Sequence, residues 1–72
     1  MKEAINFYIE NIIEHLETGD EAMVRAYFHG LGGMIFGFWM LNIITFEEHD
    51  QLKEIESLIA DELRETGVYL YC

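Results

Sequence analysis

Of 72 residues, fourteen are Asp or Glu and four are Lys or Arg, giving a formal net charge of −10, while 51% are apolar and 14% aromatic. The length fits a single domain, 1–72, and the excess of anions argues against direct binding to DNA, RNA or an anionic membrane. The one cysteine, Cys72, rules out an intramolecular disulfide framework and suits a reducing cytoplasm.

The charge is partitioned along the chain. Residues 1–21 carry Glu3, Glu10, Glu14, Glu17, Asp20 and Glu21 against Lys2, and residues 22–46 carry only Arg25. Residues 47–72 return to eight acids against Lys53 and Arg64. Acid–apolar–acid is the pattern of a small bundle in which two acidic helices wrap a central apolar one. A chain of this size buries only about 60% of its unfolded surface. Five Phe, four Tyr, one Trp and four Met exceed what one small core hides. Part of that surface is expected to meet another subunit or a partner.

The first predicted helix spans about residues 2–17. Ile5, Ile9, Ile12 and Leu16 recur at helical spacing with Tyr8 beside them. Glu3, Glu10, Glu14, Glu17 and Glu21 form a stripe on the opposite face. Thr18-Gly19-Asp20 reads as a stop and restart: Gly19 takes a left-handed conformation and Asp20 caps the next helix.

The second predicted helix spans about residues 21–44. From Tyr27 onward apolar side chains occupy every face, as in a helix that is central, at an interface or in a membrane. Gly30, Gly33 and Gly37 lie at i, i+3, i+7 and with Ala26 form a smooth stripe for close backbone approach. Each Gly costs roughly 1 kcal/mol of helix propensity relative to Ala. A break near Gly30–Gly33 is the alternative to a continuous helix, which is preferred. Gly33-Met34-Ile35-Phe36-Gly37 also has the GxxxG spacing of membrane helices. The uncharged run 26–46 is nominally long enough to span a bilayer. His29, Asn42, the glycines and the lack of a following basic cluster favour a buried central helix instead.

The third predicted helix spans about residues 45–66. Thr45-Phe46-Glu47-Glu48 matches a capping box, with Thr45 as N-cap and Glu48 at the third helical position. Leu52, Ile55, Ile59 and Leu63 form the expected buried stripe, and Glu47, Glu54, Asp61 and Glu65 the far side. Gly67 ends the helix. The apolar tail 68–72 is expected to pack back on the bundle or on a neighbour. The fold class is therefore all-α, a small three-helix bundle with a packed C-terminal tail.

Catalytic chemistry finds no foothold. The residues three before His15, His29 and His49 are Ile12, Ala26 and Phe46, so the Glu-x-x-His pairs of a di-metal bundle are missing. No metal site or cofactor is expected. Ser57 has no base at helical spacing, Thr45 is occupied as a cap, and Cys72 has no fixed cation beside it. The expectation is a non-enzyme.

The acidic stripe offers a binding role. Glu10, Glu14, Glu17 and Glu21 are spaced by about 4.5–6 Å along a helix axis, a scale similar to phosphates on a nucleic-acid strand. Such a row can occupy a basic groove and release its counterions. Phe7 and Leu58 project near the acidic faces, where an apolar anchor serves binding rather than solubility. The expected partner surface is Glu10, Glu14, Glu17, Glu21 and Phe7. A second candidate face is Glu47, Glu54, Asp61 and Glu65. Gly30, Gly33, Gly37, Tyr69 and Tyr71 are the expected interface of a homodimer. The acidic rows taken alone fit better with ordinary solvated faces that keep an apolar small protein soluble, since acidic amphipathic helices are common; Phe7 and Leu58 are what favour binding.

The stretch from Arg25 to Ile55 carries Ala26-Tyr27, Gly30, Gly33, Gly37, Leu41-Asn42-Ile43-Ile44-Thr45 and Glu47-Glu48-His49-Asp50-Gln51-Leu52. It resembles a pattern in small helical proteins of phages and mobile elements of Gram-positive bacteria: a Gly/Ala-rich apolar helix, a short turn and a Thr-x-Glu-Glu start. The resemblance covers less than half the chain. It implies a cytoplasmic accessory protein, in a class that includes inhibitors of host defence nucleases, some imitating nucleic acid. Met1-Lys2-Glu3-Ala4 has no basic region followed by an apolar core, so no signal peptide is expected.

Overall fold

The computed structural model describes residues 2–68, in which α1 (Lys2–Thr18), α2 (Glu21–Met40) and α3 (Phe46–Glu65) follow one another. The fold is all-α, a small helical bundle, as the periodicity predicts. By compactness the chain divides inside α2, into Met1–Leu31 and Gly32–Cys72. α2 nevertheless runs as one continuous helix through Gly30, Gly32 and Gly33.

All three helices stop by the same device. The amide one residue past the stop bonds the carbonyl five back, and the stop residue itself bonds the carbonyl three back. In α1 these bonds are Asp20 N–H to His15 O at 2.9 Å and Gly19 N–H to Leu16 O at 3.2 Å. In α2 they are Ile43 to Phe38 at 2.8 Å and Asn42 to Trp39 at 3.0 Å; in α3, Val68 to Leu63 and Gly67 to Arg64, both at 3.0 Å. The stop residue must take positive φ, and Gly19, Asn42 and Gly67 do so at 79°, 59° and 88°. The hydroxyls of Thr18 and Thr66 donate to the carbonyls of His15 and Leu63.

α2 therefore ends at Met40, four residues before the expected boundary at 44. Leu41–Ile44 reads as more of the same apolar helix, but Asn42 tolerates the left-handed region and closes the helix there. Ile44 then turns inward and is buried, and Thr45 caps α3. The capping box forms as expected: Thr45 Oγ1 accepts from Glu48 N–H at 3.2 Å, and Glu48 Oε1 accepts from Thr45 N–H at 3.0 Å. Asp20 caps α2 by accepting from Met23 N–H.

In the first unit α1 lies along the N-terminal half of α2, and Ile12, Val24, Phe28 and Leu31 are buried. Ile5, Tyr8, Ile9 and Leu16 are half-buried beside them. Gly30 has a local role: a Cβ there would lie 2.8 Å from Tyr8 Cε1, so the Tyr8 ring occupies the space over this glycine. Phe7, Tyr8 and Tyr27 meet edge to face with centroids 5.7–6.1 Å apart, and His15 stacks on Tyr27 at 5.5 Å.

In the second unit Ile35, Ile44, Ala60, Leu63 and Val68 are buried. The expected α3 stripe needs one correction. Ile55 is exposed, and Glu56 takes a half-buried place instead. Gly32 makes room for it, since a Cβ there would lie 3.2 Å from the Glu56 carboxylate oxygens. Lys53 neutralises that carboxylate at 3.0 Å. Val68, the first tail residue, is buried; Tyr69–Cys72 lie outside the described residues.

Candidate interaction surfaces

α1 carries Phe7, Glu10, Glu14 and Glu17 at spacings that place them on one face. All are exposed, Phe7 by 54%. Glu10 to Glu17 is two turns of helix, about 10.5 Å. The ion pairs found among the described residues are Arg25–Glu21, Lys53–Glu56 and Arg64–Asp61, and none involves this trio of glutamates. Phe7 has its ring against Tyr8 and Tyr27, which orients a side chain that is otherwise open to solvent.

Glu21 is not a continuation of that row. α1 stops at Thr18, and Glu21 opens α2, where it faces Arg25 at 4.0 Å. On α3, Glu47, Glu54, Asp61 and Glu65 are exposed around Leu58, itself 60% exposed. Asp61 is held by Arg64 at 2.9 Å, so this row keeps less uncompensated charge than the one on α1.

The glycine stripe divides in its roles. Gly30 is used within the chain by Tyr8, whereas a Cβ at Gly33 or Gly37 would meet nothing within 4 Å. Gly30 is therefore removed from the expected homodimer interface; Tyr69 and Tyr71 lie outside the described residues. The feature that the sequence reading missed adjoins the two open glycines. Phe36, Met40, Leu41, Ile43 and Phe46 are exposed by 54–71%. Trp39 lies between them, with its ring 6.2 Å from Phe36, 5.9 Å from Phe46 and 4.5 Å from His49. The absence of charge between Arg25 and Glu47 was the available signal. The expected interface was drawn on the glycines and the tail, and reading the stretch as a central helix wrapped by two acidic ones left these large side chains out of it.

Among the described residues no cluster of three or more His, Cys, Asp or Glu could hold a metal ion. Nor is any helix there long and apolar enough to cross a membrane. The uncharged part of α2 is residues 26–40, about 22 Å of helix against a hydrocarbon core of about 30 Å. Comparison with protein-family models, with curated proteins and with solved structures finds no match.

Proposed function

We propose that this chain is a small acidic interaction module that occludes a basic, nucleic-acid-binding surface of another protein. The observation that supports this reading is the exposed row Glu10, Glu14 and Glu17, free of the ion pairs seen elsewhere, with Phe7 exposed on the same face. The helix sets the spacing of the carboxylates before binding, so only their side-chain rotamers have to be ordered, and the salt ions displaced from a basic groove add to the driving force. Phe7 supplies the apolar contact that a purely electrostatic encounter lacks. The resemblance to phage and mobile-element proteins points to a host protein as the partner, such as a defence nuclease met in the cytoplasm. The module acts by occupancy, without turnover, and uses no cofactor.

The test is capture from a host lysate followed by competition. The captured protein is expected to bind nucleic acid and to lose it as this chain is added, with affinity falling steeply as salt rises. The triple variant Glu10→Lys, Glu14→Lys, Glu17→Lys is expected to abolish capture, and Phe7→Ala to weaken it by about tenfold or more. A ternary complex of partner, nucleic acid and this chain would overturn the proposal, as would affinity indifferent to salt.

A further inference from the structure

We infer that the C-terminal half of α2 and its connection to α3 form an interface between two copies of this chain. This goes beyond the acidic reading and does not depend on it. Phe36 and Met40 are more than half exposed, and Leu41, Ile43 and Phe46 extend the same apolar region across the turn at 57–71% exposure. Scattered exposed apolar residues are ordinary, but five large ones between Phe36 and Phe46 form a patch that calls for a cover.

The shape of the face selects a second copy as that cover. Gly33, Phe36, Gly37 and Met40 recur at intervals of three, one and three along one helix and share one side of it, on which Gly33, Phe36 and Met40 are exposed and Gly37 is half-buried. Phe36 and Met40 stand up as knobs; Gly33 and Gly37, with open space above each, form a shallow groove beside them. Knob and groove on one surface are what a two-fold contact requires, because each patch must fit itself. With Gly at those positions the two α2 backbones can approach closely enough for Phe36 and Met40 of each copy to enter the other's groove.

Charge points the same way. No Asp, Glu, Lys or Arg occurs from residue 26 to residue 46, and His29 lies outside the stretch 33–46 that forms the face. Pairing residues 33–46 with themselves sets no two carboxylates of that stretch against each other, in spite of the net charge of −10. A basic partner would find no anion here to answer it. The area is also sufficient. Taking about 150–200 Å² for a large apolar side chain, five that are exposed by 54–71% offer roughly 500 Å² per copy. Two copies then bury roughly 1,000 Å², the level that a specific interface must clear. Of the two knobs, Phe36 has its ring edge-on to Trp39, as has Phe46 beyond the turn, which reduces the side-chain freedom these two rings lose on contact.

Analytical ultracentrifugation over the micromolar range is the test. The wild-type chain is expected at twice its 8.5 kDa mass, falling to the single mass on dilution. Phe36→Asp with Met40→Asp is expected to weaken self-association by about a hundredfold or more. Its far-UV circular dichroism should be retained, because both side chains are exposed in the single chain. Gly37→Leu decides between a fitted interface and mere greasiness. It fills the groove and is expected to dissociate the dimer without lowering the stability of the single chain, since Leu favours helix over Gly. The Glu10→Lys, Glu14→Lys, Glu17→Lys variant should remain dimeric, which separates this inference from the acidic reading. A wild-type chain that is monomeric throughout, association tightened by Gly37→Leu, or a dimer that survives Phe36→Asp with Met40→Asp would each overturn the proposal. The first of these outcomes would assign the face to a different partner.

Discussion

At Gly30 a single missing methyl group decides how α1 meets α2. The Tyr8 ring edge lies where a Cβ would be, 2.8 Å away, and Phe7 and Tyr27 flank that ring. An exposed helical glycine is normally improved by alanine, by about 1 kcal/mol. Here the gain is outweighed, because the Tyr8 ring must leave its place among the aromatics. Gly30→Ala is therefore expected to lower the melting temperature. In a Tyr8→Ala background the same substitution is expected to raise it, by about 4–8 °C for each kcal/mol in a chain of this size. That change of sign in a double-mutant cycle identifies the contact; equal effects in both backgrounds would refute it.

Individual helices are delimited by their ends more than by their middles. Two of the three stops use glycine, and the third forces Asn42 to φ 59°. An L-residue in that region gives up about 1–2 kcal/mol, less for Asn than for others. Asn42→Gly is thus expected to stabilise the chain by up to about 1 kcal/mol, and Asn42→Ala to destabilise it by about the same amount. Thermal melts of the two variants, shifted to opposite sides of the wild type, are the check. At the other end of the turn, the reciprocal Thr45–Glu48 bonds satisfy amides that the first turn of α3 would otherwise leave unpaired. The two devices confine the connection between α2 and α3 to a few residues and hold Phe46 beside Trp39.

For the molecule as a whole, the distribution of charge governs behaviour. Fourteen acids face four basic residues, and the ion pairs observed are exposed or half-exposed, each contributing about 0–1 kcal/mol. Mutual repulsion among the acids is therefore the larger electrostatic effect on stability. Raising sodium chloride from about 0.01 M to 0.15 M shortens the screening length from about 30 Å to 8 Å, and the melting temperature is expected to rise by several degrees. A fall on adding salt would mean that attractive pairs dominate. The same screening is expected to weaken capture of a basic partner, so stability and partner binding should respond to salt with opposite signs.

Much of this fold follows from sequence, because helix grammar is local. Periodic apolar residues, Gly19, Asp20, the Thr45–Glu48 box and Gly67 each act within a few residues of themselves; the four terminal signals appear where they were expected, and the apolar stripes do so apart from Ile55. Asn42 is the exception among the stops: its side chain permits continuation and termination alike, and only the closing hydrogen bonds to Phe38 and Trp39 decide between them. The acidic rows were likewise legible from spacing, but which carboxylates keep their charge uncompensated was not, since ion pairs depend on where Arg25, Lys53 and Arg64 reach. Which apolar surface is covered was least legible of all. Burial is settled by neighbours distant in sequence, so that Gly30 lies under Tyr8, Gly32 receives Glu56, and Phe36, Met40 and Phe46 remain exposed.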